Sequence, residues 1–65
     1  MNSESLIRAR ELRAMTGLSR VTVWRLERAG LFPPRVRVGA RSVAWRRGEV
    51  EAWVRSRPRA SNGAP

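Results

Sequence analysis

Arg20, Arg25 and Arg28 recur along one stretch of this chain, with Ser19, Val21, Thr22 and Trp24 set among them. Arginines in such a run do not catalyse; they donate. Each guanidinium presents a planar fork of N–H groups that matches the paired acceptors of a guanine edge or a phosphate. A second group follows, Arg35, Arg37 and Arg41, with Gly39, Ala40 and Ser42 around the last of them. Arg13, Arg46 and Arg47 flank the two groups. The hydroxyls of Ser19 and Thr22 add small donors of the kind that meet phosphate oxygens. Together these residue types can hold a polyanion.

Other chemistry is largely excluded. The 65 residues contain no histidine and no cysteine, and no aspartate. That removes disulfides, the common zinc ligands and the usual nucleophilic triads. The five acids are all glutamates, and nothing in the sequence builds a pocket around a pair of them. No catalytic residue, metal or cofactor is expected, and the chain reads as a non-enzyme. No apolar run approaches the roughly 20 residues needed to span a bilayer. No charged-then-apolar signal segment is seen, so a cytoplasmic, nucleoid-associated protein is expected.

The elements that would carry the arginines follow from periodicity. Residues 1–5 read as a flexible tail, and Leu6-Ile7 as a short extended piece packed on the core. Ala9–Met15 reads as a helix with Leu12 and Met15 on one face. Gly17 stops it by taking positive φ. Ser19 is the expected N-cap of a second helix that runs to about Ala29 and ends at Gly30. Val23 and Leu26 face inward there; Arg20, Val21, Trp24, Arg25 and Arg28 share the opposite face. Pro33-Pro34 then breaks helicity. Arg35–Val38 and Val43–Trp45 alternate as two strands, valines and Trp45 expected inward, joined by a tip at Gly39–Ser42. A last helix spans about Gly48–Arg57, with Val50, Trp53 and Val54 as its apolar stripe. Pro58 ends it, and residues 58–65 read as a disordered tail. The expected core is Leu6, Leu12, Met15, Leu18, Val23, Leu26, Phe32, Val36, Val38, Trp45, Val50, Trp53 and Val54. A chain this short buries only about 60% of its unfolded surface, so that core is thin.

The predicted fold is therefore α+β and mostly helical: a winged helix-turn-helix of three short helices and a two-stranded β-ribbon wing over residues 6–57. Charge supports it. The net charge is +9, all fourteen basic residues being arginine. Residues 31–47 hold five arginines and no acid, so the excess sits where a DNA-facing surface needs it.

Particular residues carry the same reading to a resemblance. Met15-Thr16-Gly17-Leu18-Ser19-Arg20, Thr22-Val23-Trp24-Arg25, Phe32-Pro33, Val43-Ala44-Trp45 and Glu49-Val50-Glu51-Ala52-Trp53 resemble the AlpA family of phage and prophage regulators. Excisionases and the amino-terminal domain of MerR-type regulators look like more distant relatives. Arg13 stands where that family often has a small residue. Arg46-Arg47-Gly48 stands where a capping Ser or acid is common, so the last helix is expected to be poorly capped.

The resemblance and the basic faces imply sequence-specific binding of double-stranded DNA, as a small transcriptional regulator of a phage or mobile element. The second helix would enter the major groove, reading bases with Arg20 and Arg25. Arg28 would meet phosphate, Ser19 cap the helix, and Thr22 serve both core and phosphate. Trp24 would lie flat on a sugar-phosphate strand or pack against the wing. Arg41 would enter a narrow minor groove, with Arg35, Arg37, Arg13, Arg46 and Arg47 on phosphates. The charged ribbon would alternatively only protect a strand edge. Partners beyond DNA are a second copy of the chain, as a dimer or cooperative array, other transcription proteins, and an integrase, if the protein is instead an excisionase that bends DNA. An RNA-binding basic module ranks lower, and a membrane partner is not expected.

Overall fold

The computed structural model describes residues 4–60. Strand β1 (Leu6–Ile7) leads into α1 (Ala9–Thr16) and α2 (Arg20–Arg28). Strands β2 (Val36–Arg37) and β3 (Val43–Arg46) form the wing, and α3 (Arg47–Arg55) closes the chain. This is the expected α+β winged helix-turn-helix, with one addition. The ribbon is the larger part of a three-stranded antiparallel sheet in the order β1-β3-β2. The short piece at Leu6-Ile7 gains its partner in β3, with Ile7 opposite Trp45.

Helix ends are built from the residues that sequence marks for them. Gly17 sits at φ 74°, and its N–H donates to the Arg13 carbonyl at 2.7 Å. Thr16 helps seal the same end, its hydroxyl bonding the Leu12 carbonyl while accepting from the Leu18 N–H. Gly30, at φ 75°, completes a Schellman motif: Leu31 N–H donates to Leu26 and Gly30 N–H to Glu27, at 2.8 and 3.0 Å.

Ser19 caps α2. Its Oγ accepts from the Thr22 N–H at 3.2 Å and donates to Thr22 Oγ1 at 3.0 Å. Ser19→Ala removes both bonds. We expect a loss of about 1 kcal/mol, seen as a melting temperature lower by about 4–8 °C in a domain this small. Thermal circular dichroism checks it, with Ser19→Asp expected to restore most of the loss.

Helix α3 starts at Arg47, a residue earlier than periodicity suggests, and has no side-chain cap. Its first free N–H is satisfied from outside, by the Ser5 carbonyl at 2.9 Å. Arg47 Nε donates to Ser5 Oγ at 2.8 Å, and its Nη2 pairs with Glu11 at 2.6 Å. Ser5, assigned by sequence to the tail, is thereby tied to α3. Residues 1–3 and 61–65 of the expected tails lie outside the described residues.

The buried core is Ile7, Leu12, Val23, Phe32, Trp45 and Val50, with Met15, Leu18, Leu26, Val43 and Trp53 packed against it. Three expectations are corrected. Leu6 is 42% exposed and its neighbour Ile7 only 1%, because pairing with β3 turns Ile7 onto the face of Trp45. Val38 is 49% exposed and Val36 half-buried. Register explains both: Val36 pairs with Ala44 and Arg37 with Val43. Directly opposed residues share a face, so Arg35 and Arg37 lie on the side of Val43 and Trp45, with Val36 and Val38 opposite. Val54, finally, lies at the exposed edge of its stripe.

Candidate nucleic-acid interface

Helix α2 is held by Val23, which is buried, and by Leu26, which is half-buried. That orientation leaves Arg20, Val21, Trp24, Arg25 and Arg28 turned outward together, the face expected from helical period. The Arg28 guanidinium lies 4.8 Å from the centre of the Trp24 ring. A side chain that is costly to expose is thus partly covered by a cation. Thr22 Oγ1 accepts from Ser19, which leaves its own hydroxyl proton free to donate.

On the wing, Arg37 Nη1 donates to the Ala40 carbonyl at 3.1 Å. The tip is closed by Val38 and Gly39 N–H groups, both donating to the Ser42 carbonyl. Arg41 is exposed at that tip, with Gly39 and Ala40 exposed beside it and Ser42 half-buried. Arg13 and Arg46 are likewise exposed. Arg47 is occupied in joining Ser5 and Glu11 to α3.

Arg35 does not project freely from the ribbon. Its Nε and Nη2 reach Glu27 Oε1 at 2.9 and 2.8 Å. Its guanidinium lies 5.3 Å from the Trp45 ring centre. The indole N–H of Trp45 donates to Glu27 Oε2 at 2.8 Å. Sequence reasoning passes over Glu27, though a signal is present: it is the one acid between Glu11 and Glu49, inside the most basic part of the chain. It also passes over Arg10. A cavity of about 220 Å³ opens between α1, α2 and the sheet; Leu12 and Trp45 line it, and Arg10, Arg13, Arg20 and Arg35 are gathered around it. Helix pairing thus brings arginines of α1, α2 and the wing base to one place.

The back of the molecule is different in kind. Trp53 packs edge-on against Phe32, ring centres 4.8 Å apart, and its N–H donates to the Leu31 carbonyl at 2.8 Å. Arg57 covers its outer face, 4.2 Å from the ring centre. That tryptophan is committed to holding α3 to the turn after α2.

A glycine-turned helix pair, an outward arginine face on the second helix and a basic hairpin beside it define a winged helix-turn-helix protein. The chain belongs to the AlpA family: the family described as prophage CP4-57 regulatory protein (AlpA) matches residues 5–58. It is also 42% identical over 57 residues to a protein of Enterobacteria phage P4 described as uncharacterized protein ORF88. That alignment covers 88% of this chain and 65% of the phage protein, so the chain spans just under two thirds of that relative's length. The family is one of prophage regulatory proteins. Among the described residues no helix is long and apolar enough to cross a membrane.

Proposed function

We propose that the protein is a sequence-specific double-stranded DNA-binding regulator of a phage or mobile element, acting without enzymatic chemistry. Helix α2 lies in the major groove, with Arg20 and Arg25 on base edges and Arg28 on phosphate. Arg41 enters the adjacent minor groove, and Arg37, Arg46, Arg13 and Arg10 meet the flanking backbone. The observation that carries this reading is the outward face of Arg20, Val21, Trp24, Arg25 and Arg28 on a helix anchored by Val23 on the other side. A helix with a basic outward face beside a basic hairpin has the shape and charge of a groove reader.

Filter binding across a salt series tests it. Affinity for duplex DNA should fall linearly on a log–log plot, with a slope of about −0.9 per phosphate contacted. Arg37→Ala should weaken binding to every sequence alike and make that slope shallower by about one. Salt-independent binding, or preference for structured RNA in competition, would overturn the proposal.

A further inference from the structure

We infer that Glu27 is a positioning residue: it fixes the wing against α2 so that both engage one duplex in a single geometry. The inference rests on the DNA-binding reading above. Its ground is a charge in the wrong place. An acid near the phosphate-facing side of a +9 chain repels the ligand, and electrostatics alone would favour its loss. Glu27 nevertheless stands in the last turns of α2, and both of its oxygens are committed to the wing.

Oε1 receives two N–H groups of Arg35, which immediately precedes β2; Oε2 receives the indole N–H of Trp45, in β3. One carboxylate therefore holds both strands of the ribbon to one helix. Arg35 also lies against the Trp45 ring, so each of the three groups touches the other two. The Glu27 side chain is only 12% exposed, which makes these charge-assisted bonds stiffer than a solvated surface pair. Little close backbone packing joins α2 to β2 or β3, so side chains carry the connection.

The lever is long enough for this to matter. At about 3.3 Å per residue, the tip lies about 15 Å from Arg35. A swing of about 10° at the base then displaces Arg41 by about 3 Å, the difference between reaching a groove floor and missing it.

The sign of the effect separates positioning from charge. Glu27→Gln removes a negative charge, so electrostatics predicts tighter DNA binding. Positioning predicts binding about tenfold weaker, from the lost charged hydrogen bonds. At saturating protein, the hydroxyl-radical footprint of Glu27→Gln should keep the protection given by α2 and lose the flanking protection given by the wing. Trp45→Phe, which deletes the indole donor and leaves a smaller ring in the core, should shift the footprint in the same direction when compared at equal folded fraction. A DNA-free readout stands beside these. The chain has no native cysteine, so spin labels on Ala29→Cys and Ala40→Cys report the distance from the end of α2 to the wing tip. That distribution should be narrow when Glu27 is present and broad in the Glu27→Gln variant, at equal folded fraction by circular dichroism. An unchanged distance distribution, or an unchanged footprint with equal or tighter binding, overturns the inference. Failure of the unsubstituted protein to bind any duplex instead overturns the proposed function, and leaves the distance measurement to decide the role of Glu27.

Discussion

Trp45→Ala is expected to leave most of the protein unfolded at 25 °C. Trp45 is 4% exposed and belongs to the same core cluster as Ile7, Leu12, Val23, Phe32 and Val50. Replacing a buried tryptophan by alanine costs about 3–5 kcal/mol in lost burial and residual cavity. The substitution also strips Glu27 Oε2 of its donor, which adds the desolvation cost of a poorly solvated carboxylate oxygen. A domain of this length has about 3–10 kcal/mol of stability in total. The loss is therefore comparable with the whole. Far-UV circular dichroism in a urea titration should show either no cooperative transition or a midpoint near zero denaturant. Val54→Ala, at the half-exposed end of α3, should by contrast move the midpoint little. If Trp45→Ala melted within a few degrees of the unsubstituted protein, the sheet would not be the centre of the core.

Arg25→Ala is expected to act on recognition and leave the fold intact. The residue is exposed in the middle of α2, and no hydrogen bond of its guanidinium to another described residue competes for it. Substitution at such a site changes stability by about 0.5 kcal/mol or less. If Arg25 reads a guanine through a bidentate pair, its loss weakens specific binding by about 1–3 kcal/mol, roughly fivefold to more than a hundredfold. Discrimination at one base position should relax at the same time, while non-specific binding and the salt slope change by no more than one charge. Competition gel shifts against single-base variants of a selected site measure both effects. An equal loss on all sequences would place Arg25 on phosphate.

The helical half of the molecule is readable from sequence because its signals are local. Gly17 and Gly30 at positive φ, Ser19 at the cap, and Val23 set against Arg20, Trp24 and Arg25 are each decided within a turn or two of chain. The sheet is less readable because its signals are relational. Alternation shows that Val36 and Val38 lie on the face opposite Arg35 and Arg37, but the partner's register decides which face turns inward. One residue of slip exchanges the two sets. For the same reason Arg35 reads as a free cation in sequence, when it faces Glu27 across eight residues of chain and Trp45 across the ribbon. Sequence packs Leu6-Ile7 on the core but takes Leu6 as the buried residue, and only the pairing with a strand far along the chain turns Ile7 inward instead. Arg10 joins the basic cluster only once the fold gathers α1, α2 and the sheet around one cavity.

The pairing of β1 with β3 also bears on how the protein is made. Ser5 and Arg47 meet across 42 residues of sequence. On the ribosome, Leu6 and Ile7 emerge ahead of the rest of the domain and have no strand to join until Arg46 has cleared the exit tunnel. Helices α1 and α2 emerge next, yet each is only 8 or 9 residues long, too short to persist alone in water. Nearly the whole domain must therefore be synthesised before any part of its core can close, and the domain folds as a single late event. A chain stalled before Trp45 would expose Leu12, Val23 and Phe32 with nothing to cover them, a natural substrate for chaperones and proteases.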